Sequence, residues 1–271
     1  MEGKGSSFKK LSEWELRIHS HSAFRVLGVP FGIAESASRI FCMAEMVRGG
    51  AVEYLVRNQE KISSSAEDRV AVNNISEEIF SVDAHDQTIF TVGESILDLA
   101  TLGALKNGLG AVVVENINVP KFSTWISCAA SKKGFFSVVN YRSGDEGGMY
   151  SISSPVTPGE ICEGPAKSMV KLTDTLQGIF DENIFNTGKV NMLTLFCLSL
   201  DKGKSIVHDI GQKNEEEKFV KLDVDNRYSK AYRYGIFLET KTADSFLDLG
   251  RSIWLPTSDR SRNQGSIGIQ E

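Results

Sequence analysis

The stretch from Trp254 to Glu271, WLPTSDRSRNQGSIGIQE, brings Ser258, Ser261 and Arg262 close to Gly265 and Gly268. Arginine forks and backbone amides freed by glycine are the usual means of holding a carboxylate or a phosphate. A frayed terminus has the same small polar residues, so composition leaves an anion-binding loop and a loose tail equally open. His85, in VDAHDQ, lies between Asp83 and Asp86. Neighbouring carboxylates can orient an imidazole as a base, and any polar turn also contains them. His208, beside Asp209, stands in the same position. His19 and His21 are two residues apart on a helical stretch, where side chains point about 200° apart, so they cannot share a metal; one surface and one buried imidazole are expected.

Other patterns are excluded by spacing. Cys42, Cys128, Cys162 and Cys197 are far apart with no C-x-x-C pair, which removes zinc-ribbon and dithiol chemistry. Cys42, Cys128 and Cys197 have apolar neighbours and are expected to be buried free thiols. GALKNGLG ends a helix instead of opening one and matches neither dinucleotide nor P-loop fingerprints. RSGDEGGMY follows a strand, where its amides could face a ligand or form a surface turn. No metal site is expected.

The elements that must position these residues are legible in part. With 271 residues, 41% hydrophobic and 24% charged, the chain has the composition of a globular protein with a substantial core. A net charge of −5 argues against a nucleic-acid partner. No apolar run approaches the roughly 18 residues of a membrane span. MEGKGSSFKK is polar, unlike a secretory signal, so a cytoplasmic location is expected.

LSEWELRIHSHSAFRVLG predicts a helix capped by Ser12, with Leu11, Trp14, Ile18, Ala23 and Leu27 at helical intervals. FGIAESASRIFCMAEMVRGG predicts a second, mostly buried helix stopped by Gly49 and Gly50, and AVEYLVRNQEKI resumes helical spacing. Residues 1–62 thus form a helical N-terminal segment, and residues 63–271 an α/β core with a C-terminal loop, together one compact unit. The polar stretch before Val92 reads as a linker with one short strand. GESILDLATLGALKNG, LGAVVVENI, STWISCAASKKG and FFSVVNY then alternate helix and strand. Beyond them, KVNMLTLFCLSL and SIVHDI predict a hairpin turning at Gly203. In KFVKLDVD, Val220, Leu222 and Val224 share one face. RYGIFLE predicts a strand and TADSFLDLGRSIW a last helix. The fold class expected is α/β to α+β, a helical cap followed by a layered mixed sheet.

Two resemblances add to this. SEWELRIHSHSAFRVLGVPFGIAESASR resembles the opening of an uncharacterised bacterial family of domains of unknown function, with its paired helices around a Gly-x-Pro-x-Gly-x-Ala-Glu joint. RSIWLPTSDRSRNQGSIG resembles that family's ending, which implies an ordered loop at the tail. The family brings no activity with it. ALKNGLGAVVVENINVPKFSTWISCAASKKGFFSVVNY is similar to the central part of the malate/L-lactate dehydrogenase family that lacks a Rossmann fold. AEMVRGG is similar to that family's Ala-Asp-x-Arg-Gly segment. The resemblance implies that family's fold and a homodimer. The chain departs from it where chemistry is concerned. Arg48-Gly49-Gly50 runs into Ala51-Val52 instead of Ser-His-Gly, and the Asn-x-x-His turn is Asn116-Ile117-Asn118-Val119, with valine in the histidine's place.

Three functions follow as expectations. The first is a binding protein or repurposed enzyme for a carboxylate-bearing metabolite. Ser258, Ser261 and Arg262 would hold the acid, and Asn116, Asn118 and Lys121 would line the pocket. The second is an NAD- or NADP-dependent reductase of a keto or imino acid, with Lys121 or His85 replacing the histidine, although no motif supports the cofactor. The third is a non-catalytic interaction subunit.

Overall fold

The computed structural model describes residues 7–66, 68–143, 146–165, 191–204 and 220–254. Its centre is the valine-rich run at Leu109–Glu115, strand β4, whose Gly110 to Val114 are all buried. The strands of the main sheet are β2 (Ala71–Asn74), β3 (Ile79–Asp83), β4, β5 (Phe136–Ser143), β6 (Glu146–Ser153), β7 (Glu160–Pro165), β8 (Met192–Leu198) and β9 (Val220–Asp223). They lie in the order β2-β3-β4-β8-β5-β6-β7-β9. Among the described strands only β3 and β4 run parallel, and the other pairings are antiparallel. A second sheet joins β1 (Phe8–Leu11) to β10 (Ile236–Glu239).

The helices are α1 (Glu13–Val26), α2 (Phe31–Val47), α3 (Ala51–Arg57), α4 (Gln59–Ser65), α5 (Ile89–Asn107), α6 (Thr124–Lys132), α7 (Val224–Tyr234) and α8 (Thr240–Arg251). Helix α5 lies on β4 and β8, and α6 on β5, β6 and β7. The seat of α5 depends on missing side chains. A Cβ on Gly110 would fall 2.0 Å from the Ala100 carbonyl oxygen, and one on Gly103 would fall 2.9 Å from the Gly110 Cα. Helix and strand backbones touch there, which only glycine permits. Helix α6 is seated by buried hydroxyls instead. Ser127 and Ser151 Oγ are 3.1 Å apart, and Ser153 Oγ donates to the Ser127 carbonyl at 2.5 Å.

Helix α2 packs on α1, α5 and α7, using the small residues Ala34, Ala37 and Ala44 for close approach. An aromatic cluster ties these helices together. Phe41 meets Phe24, Phe90 and Phe246 at centroid distances of 5.7, 5.4 and 5.9 Å. Phe90 in turn stacks on Phe122 at 5.3 Å. Such contacts add directional packing to the area they bury. The apolar core runs from Leu11 to Leu247 without a break between the early helices and the sheet.

Several expectations change. Ser12 does cap α1, with a full capping box to Glu15. The buried face of α1, however, carries Leu16, Ser20, Ala23 and Phe24, while Trp14 is 61% exposed and Ile18 41%. Of the stripe read from the sequence, Leu11, Ala23 and Leu27 are buried and only Trp14 and Ile18 face outward. His19 and His21 are both half-buried, each edge-on to a phenylalanine, Phe246 and Phe31, so the surface-and-core division does not hold. The supposed linker contains two strands, one of them β3 inside the sheet. Gly147 and Gly148 of RSGDEGGMY lie within β6. Residues 200–204 form a helical turn, with Gly203 N–H donating to the Ser199 carbonyl at 2.9 Å, where a hairpin was expected. SIVHDI, with His208, lies outside the described residues. Of the three residues expected to share a face in KFVKLDVD, Leu222 and Val224 are buried, Val220 is exposed, and Val224 opens a helix.

Candidate functional site

Two places gather polar side chains. The first is the pair of turns leaving the parallel strands β3 and β4 at Asp83 and Glu115. His85, Asp86, Asn116 and Val119 all adopt left-handed backbone there, with φ of 46°, 61°, 53° and 50°. Asparagine and aspartate tolerate this region; a β-branched valine does so only under strain. The turns hold each other in place. Asn116 Nδ2 and His85 N–H both donate to Asp83 Oδ1 at 2.9 Å. Asp86 N–H donates to the Asn116 carbonyl at 2.8 Å, and Ile89 N–H to the Asn118 carbonyl at 3.0 Å. Asn118, only 5% exposed, donates its side-chain amide to the Asp86 carbonyl. His85 and Lys121 are exposed, and Lys121 Nζ lies 5.4 Å from the Phe122 ring centroid. The structure thus unites His85, Asn116 and Asn118, and puts Lys121 on the 3₁₀ turn at Pro120–Phe122 that follows.

That turn leads into the second place. Thr124 opens α6, and its hydroxyl meets both members of a buried ion pair. Arg48 Nε donates to Thr124 Oγ1 at 2.5 Å, and Thr124 Oγ1 donates to Glu163 Oε1 at 3.0 Å. Arg48 Nη2 pairs with Glu163 Oε2. Glu163, 6% exposed, points inward from β7.

Arg48 is held at the end of α2 by its neighbours. Gly49 and Gly50 turn the chain with φ of 77° and 84°. The buried Glu45 carboxylate then accepts the Val52 N–H at 2.8 Å, as well as those of Gly50 and Ala51. Burial pushes the Glu45 carboxyl up, and those three N–H groups oppose it.

Arg48 and Glu163 border a cavity of about 300 Å³, with Met149, Val220 and Leu222 on its walls and Arg227 from α7. Arg227 Nη1 donates to the Val47 carbonyl at 2.9 Å. On its other side Arg227 lines a second cavity of about 300 Å³, with Lys230 and Tyr234. Guanidinium groups on apolar walls suit an organic anion: the fork binds the acid and the walls take the carbon skeleton.

Ser258, Ser261, Arg262 and Gly265 lie outside the described residues. Thr124, Glu163 and Arg227 were not singled out by the sequence, and Arg48 was noted only beside the missing Ser-His-Gly. No sequence signal marked Glu163, because whether it faces in or out depends on the register of β7 in the sheet. Cys42, Cys128 and Cys197 are buried free thiols, and burial pushes Cys42 and Cys197 up to about 12. Among the described residues no group of three or more histidine, cysteine, aspartate or glutamate side chains could hold a metal. No described helix is long and apolar enough to cross a membrane.

No protein-family model matches the chain, and no curated protein matches it in sequence. The likeness of both chain ends to a bacterial family of unknown function therefore rests on those residues alone. Solved structures do match. Malate dehydrogenase from Pyrococcus horikoshii OT3 is 12% identical, with a TM-score of 0.64 over 93% of this chain and 99% of that one. Sulfolactate dehydrogenase from Methanocaldococcus jannaschii is 10% identical, with a TM-score of 0.63 over 91% and 98%. Delta1-piperideine-2-carboxylate reductase from Pseudomonas syringae pvar. tomato is 10% identical, with a TM-score of 0.57 over 89% and 99%. The chain has a malate/lactate-dehydrogenase-like fold, a mixed α/β scaffold.

At the β3 and β4 turns each asparagine places one amide N–H on the neighbouring turn, Val119 has no polar group where the resemblance implies a histidine, and His85 and Lys121 are exposed.

Proposed function

We propose that the chain binds a small carboxylate-bearing metabolite in the cavity between Arg48 and Arg227, on a dehydrogenase-like scaffold whose histidine chemistry has been lost. One observation carries this reading: two guanidiniums and one carboxylate border an apolar-walled cavity among the described residues. Arg227 is the group that would meet the acid. It is exposed, and its one described partner is a neutral carbonyl. Val119, in place of a histidine, cannot pass a proton to a substrate carbonyl, which supports binding or altered chemistry over the neighbours' reactions.

A thermal-shift screen against small acids, NADH and NADPH tests this. Acid at a hundredfold excess over its dissociation constant should add about 2.7 kcal/mol of stability. Arg227→Gln should abolish the shift while changing unliganded stability by no more than about 0.5 kcal/mol. Arg262→Ala separates the alternative in which Ser258, Ser261 and Arg262 hold the acid. A shift with NADH or NADPH would favour a reductase of a keto or imino acid instead. If nothing shifts, a platform for a protein partner takes its place. The reading includes a homodimer, supported by Phe8 and Phe237, 64% and 61% exposed on the two-stranded sheet. A single-chain mass by sedimentation would remove it.

A further inference from the structure

The charges of the cavity say which acids it takes, given that it takes one. Among the described residues its charged side chains are Arg48, Glu163 and Arg227. Arg48 and Glu163 neutralise each other, and Thr124 fixes their geometry by bonding to both. Glu163 is buried and is held by both of its oxygens, so it cannot swing away into water. Arg227 donates to a backbone carbonyl, which leaves its positive charge unbalanced. The described side chains therefore leave the cavity one positive charge in excess.

We propose that Glu163 is a specificity-determining residue that admits monocarboxylates and rejects dicarboxylates. An acid that meets Arg227 brings the balance to zero. Among the described residues lining this cavity, the other cation for a second carboxylate is Arg48, whose fork Glu163 already occupies. The newcomer must lie against that carboxylate or displace it, and either is a like-charge clash between partly desolvated groups. Rejection by repulsion is how a small site discriminates when shape alone gives little.

Lactate and malate make the test, because they share the 2-hydroxy acid unit and differ by one carboxylate. Isothermal titration near neutral pH should give wild-type protein at least about tenfold tighter binding of lactate than of malate. Glu163→Gln should collapse or invert that ratio by freeing Arg48, and Glu163→Asp, which keeps the charge, should keep it. Arg227→Gln should lose both acids. Should Glu163→Gln fail to fold by circular dichroism, the wild-type ratio and Glu163→Asp still decide. Equal affinities in the wild type, tighter malate binding, or a ratio unmoved in a folded Glu163→Gln each overturn the charge filter while leaving acid binding intact. Binding of neither acid by the wild type overturns the filter together with the carboxylate reading on which it rests.

Discussion

The turns after β3 and β4 and the cavity at the end of α2 are both polar, but they differ in what their polar groups are free to do. At the turns, Asn116 and Asn118 direct their amides onto Asp83 and Asp86, and the backbone groups close the rest of the network. The carboxylate in that exchange, Asp83, already takes donors from both turns. At the cavity, Arg48, Thr124 and Glu163 also satisfy one another, but Arg227 adds a cation without a described carboxylate. A polar cluster that completes itself fixes the chain; one that leaves a charge over can bind. Types of residue alone do not separate the two cases, because histidine, asparagine and lysine look more like site residues than a lone glutamate in a strand.

Four substitutions test that contrast. The largest effect belongs to Glu163→Leu, which strands Arg48 in a partly buried position and should cost about 3 kcal/mol in denaturant unfolding. A loss below about 1 kcal/mol would mean that Arg48 finds water as easily as it found Glu163. Asn118→Ala should cost about 1.5 kcal/mol by removing a buried amide from the Asp86 carbonyl, with lactate affinity unchanged. Loss of acid binding in that variant would move the site back to the turns.

Val119→Asn should go the other way, a gain of about 1 kcal/mol, since asparagine accepts the left-handed backbone that valine resists. No gain would show that the valine's contacts with the core outweigh its strain.

The smallest expected effect is a pH dependence. Glu45 titrates above its ordinary 4.5 because it is buried. A carboxyl that binds its proton more tightly folded than unfolded favours the fold while protonated. That contribution is lost as pH rises from about 4.5 through the folded value. Glu45→Gln cannot ionise, so its stability relative to wild type should be higher near neutral pH than near pH 4. The same difference at both pH values would remove Glu45 as a titrating group.

Much of the scaffold was legible. Periodicity and caps marked α1, α2, α5, β4, α6, β5, β8 and α8, because each is long enough for its pattern to show and ends at a residue that stops it. β2 was missed because Ala71–Asn74 is exposed throughout and has no apolar alternation. β1 was missed because Phe8–Leu11 follows a polar start and gains its meaning only from β10. The apolar stripe of α1 misled because Trp14 and Ile18 face outward while serines face the core. The cavity was not legible at all. Arg48, Thr124, Glu163 and Arg227 are separated along the chain, Arg48 alone lies in a segment singled out by resemblance, and whether Glu163 faces in or out depends on a strand register that only the sheet decides.

The small sheet of β1 and β10 has a consequence for the order in which the molecule is made. Lys9 pairs with Leu238, so the earliest described strand of the chain is completed by one near its far end. During synthesis β1 leaves the ribosome long before β10 and must wait, unpaired, until that strand follows. Closing so long a loop is entropically costly and is rewarded late. The helices and the main sheet can assemble first; the pair of β1 and β10 is the clasp that shuts last.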